Sequence, residues 1–148
     1  MTKKKILIAT GGTGGHIFPA LSLAKNLIKK NYDIILTTDK RGLKYLSDIN
    51  EINLKKITSS PLVKRNIFKL IYSILLICYS TVKCVFLLSL NRPHIIIGMG
   101  GYSSFPVCIA ATILRIKFII FNKNFFIEKD NKYLIQYAEK IFVCYQDV

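Results

Sequence analysis

The stretch Lys4–Thr10, KKILIAT, runs straight into GGTGGH and then into IFPALSLAKNL. Its apolar core reads as a short buried strand. Downstream, Leu21, Ala24, Leu27 and Ile28 share one face of a helix expected over Ile17–Lys30. A strand, a glycine loop and a helix in direct succession leave few folds open. The layout brings backbone N–H groups and the positive end of a helix to one point, which suits an anion. Glycine matters there because a residue without Cβ lets a ligand approach the main chain closely. TGGTGGH nevertheless matches neither standard nucleotide fingerprint. A P-loop ends in Gly-Lys-Ser/Thr, and His16 stands where that lysine belongs. GxGxxG placed on Gly12 and Gly14 meets Ile17 at its third glycine. On spacing alone, a glycine turn that only tightens the corner stays open.

The rest of the chain repeats the alternation. Strands are expected at Tyr32–Thr38, in INLKKI, at His94–Gly100, at Lys117–Lys123 and in the closing KIFVCY. Helices are expected in KRGLKYLSDI, from Pro106 to Leu114 and from Asn131 to Glu139. Strands that are apolar throughout and alternate with helices specify a parallel sheet covered on both faces. The expected class is therefore α/β, a Rossmann-like, doubly wound sheet. The 148 residues suit one domain, residues 1–148, able to bury roughly 70% of its unfolded surface.

The most apolar segment is Ile67–Leu90. Lys83 interrupts it, and the uncharged stretch between Lys69 and Lys83 is short for a transmembrane span of about 20 residues. Lys64, Arg65, Lys69 and Arg92 flank it with positive charge, as a segment lying on anionic lipid requires. Helices covering the sheet or lying at an interface are the expectation, with a true span as the alternative. The net charge of +14, from 22 Lys and Arg against 8 Asp and Glu, favours a polyanionic partner. The basic residues form no long block and no nucleic-acid motif accompanies them, so nucleic acid is not expected. Cys78, Cys84, Cys108 and Cys144 lack CxxC spacing and lie in apolar surroundings, which reads as buried thiols in a reducing compartment. No secretory signal is expected, since the apolar run at the N-terminus is too short.

A second glycine loop has the layout of the first: HIIIGMGGYSSFP passes from strand through Gly98, Gly100 and Gly101 into a helix. Two such loops at the carboxyl ends of parallel strands face one crevice, where open α/β sheets bind ligands. Serines, a tyrosine and backbone amides suit a hydroxylated or phosphorylated ligand. Of the two histidines, His94 opens a strand and reads as structural or exposed. His16 lies at the rim of the first loop. The helix end beside it favours a neutral imidazole, able to take a proton from a hydroxyl nucleophile or simply to shape the loop.

Together, TGGTGGHIFPALSLAKNL and RPHIIIGMGGYSSFP resemble the N-terminal half of the MurG family. These are the bacterial glycosyltransferases that add N-acetylglucosamine to undecaprenyl-linked lipid I to form lipid II. The resemblance implies the N-terminal domain of a GT-B enzyme, an inverting mechanism, and no metal or other cofactor. It implies UDP-N-acetylglucosamine and lipid I as substrates and a peripheral place on the cytoplasmic face of the plasma membrane. Thr13, Gly14, Gly15 and Asn124 correspond to donor contacts, and His16 to the motif histidine, here the candidate base. Gly100, Gly101, Tyr102 and Ser103 correspond to the loop near the acceptor diphosphate. Lys64, Arg65, Phe68, Lys69, Ile71 and Leu75 fall in the membrane-contacting patch.

Two positions depart from that pattern. Where the family reads His-Glu-Gln-Asn, this chain has Phe121, Asn122, Lys123 and Asn124. The glycine before the proline of the second loop is Phe105, expected as a bulky intrusion where backbone must approach a ligand. The family's donor-binding C-terminal domain lies outside this sequence. The expectation is thus an acceptor-binding half, completed by a donor domain on a partner chain where one exists. The alternative is a non-catalytic module for lipid-linked diphosphates.

Overall fold

The computed structural model describes residues 3–46, 52–59, 66–122 and 134–143. Six strands form one wholly parallel sheet: β1 (Lys5–Ala9), β2 (Asp33–Thr38), β3 (Asn53–Lys56), β4 (Ile95–Gly98), β5 (Phe118–Asn122) and β6 (Lys140–Val143). Their order is β3-β2-β1-β4-β5-β6. The chain winds outward one way from β1 to β3, then crosses back to β4 and winds the other way. The switch point between β1 and β4 is where such sheets open a ligand crevice. Register there is Ile8 opposite Ile97 and Ala9 opposite Gly98, so the loops leaving both strands emerge side by side.

Alternation along the strands divides the core in two. Leu7, Ile35, Ile96, Phe118 and Ile120 meet α3 (Ile67–Asn91) and α4 (Ser104–Ile113) through Cys84, Leu88, Val107 and Ala111. Ile6, Ile8, Ile34 and Leu36 meet α1 (Gly14–Lys29) through Ile17, Ala20 and Ala24. Helices on both faces of a parallel sheet are what the uninterrupted apolar strands require.

Local departures have local causes. Helix α1 begins at Gly14, three residues before Ile17, because the glycines themselves turn helical directly after Thr13, which is still extended at φ −111°, ψ 146°. Inside it, Pro19 has no N–H to offer the carbonyl of Gly15, so one helical bond is forgone near the N-terminus. Helix α4 likewise starts at Ser104, ahead of the expected Pro106. Pro106 falls in its first turn, where a missing N–H costs little. The helix expected in KRGLKYLSDI is the single turn α2 (Lys40–Leu43), capped by Asp39. The helix expected over Asn131–Glu139 is, within the described residues, one 3-10 turn, Ile135–Tyr137. Ala138 is already extended, at ψ 139°, to enter β6.

Ile67–Leu90 forms most of one continuous helix of 25 residues. Its inward positions are small or polar: Ser73, Ser80 and Cys84 are buried, with Leu88 the one large residue among them. Ser80 donates a hydrogen bond to the Thr58 carbonyl, and Ser73 and Thr81 return theirs to carbonyls one turn back. The large apolar side chains face outward, and in the helix's most apolar stretch only 17% of residues are buried. Among the described residues, α3 is the one helix long and apolar enough to cross a membrane by length and composition. The structure also packs its C-terminal half against sheet and α4, as a sheet-covering helix does.

The cysteine expectation needs correcting at Cys78, which lies on the exposed side of α3, while Cys84 and Cys108 are buried. Burial pushes both of these thiols up to about 12, and the neighbouring Cys84 adds to the effect at Cys108. Cys144 lies outside the described residues.

Candidate functional site

The two glycine loops are stitched together at the switch point. Gly11 donates its N–H to the Gly100 carbonyl at 2.9 Å, and Met99 donates to the Ala9 carbonyl at 2.7 Å. The Ser103 hydroxyl, itself buried, donates to the Thr10 carbonyl at 2.7 Å. The backbones touch at Gly11 and Gly101: a Cβ on Gly11 would lie 2.5 Å from the Gly101 Cα, and one on Gly101 would lie 2.6 Å from the Gly11 Cα. Gly100 and Gly101 take φ of 86° and 82°, the left-handed region in which glycine carries no penalty. These glycines therefore serve first to let one loop lie on the other.

His16 spans the junction. Its Nδ1 lies 2.9 Å from the Met99 carbonyl oxygen, at the end of β4. A carbonyl only accepts, so Nδ1 donates, and Nε2 is the ring's other nitrogen, the one placed to exchange a proton. That tautomer is the one a general base needs. His94 is at the opposite end of the sheet, exposed, with its Nδ1 accepting from the Lys5 N–H at 3.3 Å.

The remaining expected residues fall on three surfaces. Thr13 and Gly15 are exposed at the start of α1, with Gly14 half-buried between them. Tyr102 is exposed beside the second loop, whereas Ser103 braces the loop from below. Phe68, Lys69, Ile71 and Leu75 are all exposed on α3, with Phe68 at 79%. Asn124, Lys64 and Arg65 lie outside the described residues. Phe105 does not intrude on the loops. It lies in the first turn of α4, packs against the core, and lines an apolar cavity with Ile109, Ile113, Leu134 and Tyr137. The close backbone approach occurs instead at Gly11 and Gly101. Phe121, in the position of the family's histidine, packs against the core on the α1 face, and Asn122 is buried. Among the described residues, no three His, Cys, Asp or Glu side chains cluster closely enough to hold a metal ion.

Sequence reasoning passed over Asp39 and Arg41. The Asp39 carboxylate is almost fully buried, accepts from the Arg41 and Gly42 amides at 3.0 Å, and abuts Gly12. Arg41 grips it through Nε at 3.1 Å and Nη2 at 2.7 Å, and places its guanidinium 5.9 Å from the centroid of the Tyr102 ring. The available signal was an Asp directly after a strand and before KRG, a helix-capping position.

Residues 6–143 match the model of the glycosyltransferase family 28 N-terminal domain. The chain belongs to glycosyltransferase family 28. Among family relatives, it is 38% identical over 144 residues to a protein of Pelagibacter ubique, covering 97% of this chain and 39% of that one. It is 36% identical over 147 residues to one of Rickettsia felis, covering 98% and 39%. Both are named UDP-N-acetylglucosamine--N-acetylmuramyl-(pentapeptide) pyrophosphoryl-undecaprenol N-acetylglucosamine transferase. The chain thus spans about two fifths of the length of these curated relatives. The crystal structure of Acinetobacter baumannii MurG superposes with a TM-score of 0.81 at 23% identity, over 97% of this chain and 42% of that one, and shares its fold. The doubly wound sheet expected from the strand pattern is therefore the family 28 N-terminal fold.

Proposed function

We propose that this chain is the acceptor-binding, membrane-facing half of an N-acetylglucosaminyltransferase. Its substrates are UDP-N-acetylglucosamine and an undecaprenyl-diphosphate-linked muramyl peptide, lipid I. The observation that carries the reading is His16 held by the Met99 carbonyl across two interlocked glycine loops. In the proposed reaction an acceptor hydroxyl attacks the anomeric carbon of the donor. The new C–O bond forms as the bond from that carbon to the UDP oxygen breaks, and UDP leaves with the electron pair. His16 Nε2 takes the hydroxyl proton. Thr13, Gly14 and Gly15 at the start of α1 bring amide donors and the positive helix end to phosphate. Gly100, Gly101 and Tyr102 line the acceptor side. The donor-binding domain, with most uridine contacts, is supplied from outside these 148 residues.

The membrane part of the proposal rests on the outward face of α3. Phe68, Ile71, Leu75, Tyr79, Val82 and Phe86 recur at helical spacing and are each about half exposed or more. The inward positions are mostly Ser and Cys. Since only the exposed part of each side chain is left to transfer, each contributes about 1–2 kcal/mol on moving from water into lipid. Lys69 and Lys83 place positive charge within the same helix, which suits anionic headgroups.

Two measurements test this reading. The chain should sediment with vesicles of anionic phospholipid at low salt, more strongly when they carry lipid I. No sedimentation at low salt refutes the membrane role. Mixed with the donor-binding half of a family relative, the chain should transfer N-acetylglucosamine to lipid I, and His16→Ala should lower turnover by about 10²–10⁴. Unchanged turnover in that variant removes His16 from the chemistry.

A further inference from the structure

We propose that a cationic cleft beside the second glycine loop is an additional anion subsite, taking a phosphate or carboxylate group of the acceptor. The inference rests on the acceptor-binding role proposed above. The cleft has a volume of about 220 Å³ and lies at the carboxyl ends of β2 and β3, lined by Asp39, Lys40, Arg41, Lys56, Thr58 and Ser59. Three cations face one carboxylate, and that carboxylate is already committed. Asp39 accepts from two backbone amides and from Arg41, so it orients the guanidinium and is not left to repel an incoming anion. Of the five guanidinium N–H groups, two are spent on Asp39. The others remain for a ligand on a side chain that stays 54% exposed.

The cleft is also continuous with the proposed acceptor loop. Ser59 Oγ donates to the Tyr102 carbonyl at 2.6 Å, and Arg41 lies against the Tyr102 ring. A ligand resting on Tyr102 thus has Arg41 at its edge. The acceptor named for the relatives carries two kinds of anion, a diphosphate and a peptide with a terminal carboxylate. Either matches the planar fork of an arginine.

The chain is titrated with inorganic pyrophosphate and, separately, with N-acetyl-alanyl-alanine at constant ionic strength, following backbone amide resonances. At least one probe should shift the amides of Lys40–Gly42 and Lys56–Ser59, and the stronger one identifies the source of the anion. Arg41→Gln and Lys56→Gln should each weaken that binding about tenfold, the loss of one charge-assisted contact. Lys117→Gln, at the far end of the sheet, should leave it unchanged. The subsite is overturned if neither probe moves those amides or if Lys117→Gln weakens binding as much. Pyrophosphate shifts confined to Gly12–Gly15 and Gly100–Tyr102 also overturn the subsite while supporting the acceptor role. Pyrophosphate shifts in the cleft with both loops silent support an anion site there but overturn the assignment of its ligand to an acceptor.

Discussion

Replacing Gly101 with alanine isolates what the interlocked loops contribute. At φ 82° an L-residue with a Cβ costs about 1–2 kcal/mol in backbone strain alone. The new Cβ would also lie 2.6 Å from the Gly11 Cα and 3.1 Å from the Gly11 nitrogen, and both are backbone atoms. They have little room to yield, because Gly11 lies only two residues past the end of β1 and its N–H is held by the Gly100 carbonyl at 2.9 Å. Overpacking of this kind adds about 1–3 kcal/mol. Reduced freedom of the unfolded chain returns about 0.4–1 kcal/mol. The net loss is about 3 kcal/mol, a shift in urea midpoint of about 1.5 M for a slope of about 2 kcal/mol/M. Gly14→Ala is the control. Its Cβ would meet only the ring of Phe18 at 3.1 Å, and that ring is 57% exposed and can swing aside. Since Gly14 is helical, alanine there should be neutral or stabilising by up to about 1 kcal/mol. Urea unfolding followed by circular dichroism measures both. If Gly101→Ala falls within about 0.5 kcal/mol of the parent, or matches Gly14→Ala, the loops do not constrain each other as argued.

The thiols give a second set of outcomes. Cys78 should react with a maleimide in the folded chain, whereas Cys84 and Cys108 should react only on unfolding, as mass spectrometry of peptides will show. Because burial raises the pKa of both buried thiols from 9.0 to about 12, the unfolded chain loses these protons first as pH rises. The contribution is fully present below pH 9 and is lost between about pH 9 and 12, at about 1.4 kcal/mol per thiol per pH unit. Cys84→Ala with Cys108→Ala should flatten that part of the stability profile, and an unchanged slope contradicts the assignment. On α3, Leu75→Asp should weaken vesicle binding severalfold with little change in stability, since Leu75 is 63% exposed.

The fold was legible because its signals are local and redundant. ILIAT, DIILTT and HIIIG are too uniformly apolar to be half-exposed strands, and the segments between them have helical length. The glycine loops were legible for the same reason: each sits between a recognisable strand and a recognisable helix. What escaped depends on contacts distant in sequence. Nothing near Asp39 announces that its carboxylate will rest against Gly12, or that Arg41 will reach Tyr102. Phe105 departs from expectation because its place relative to a neighbouring proline says nothing of which way a helical turn will carry it. Cys78 departs from expectation because α3 breaks the usual rule for a soluble helix, keeping small residues within and large apolar ones without.

The two halves of the site are consequently one device. His16 sits in the first turn of α1, at the end of the first loop, and Met99 opens the second, so the hydrogen bond that sets the imidazole tautomer exists only while the loops are in register. Register in turn depends on the backbone contact at Gly11 and Gly101 and on the Gly11–Gly100 bond. A Cβ at either glycine would push the Met99 carbonyl away from Nδ1. The ring could then turn or take the other tautomer, moving its basic nitrogen off the hydroxyl that the proposed reaction sets against it. Substitutions at Gly11 and Gly101 should therefore mimic loss of His16 in transfer assays, although neither glycine has a side chain to offer the substrate. In the role proposed for His16, a positional error near 1 Å suffices for about a 10²-fold loss.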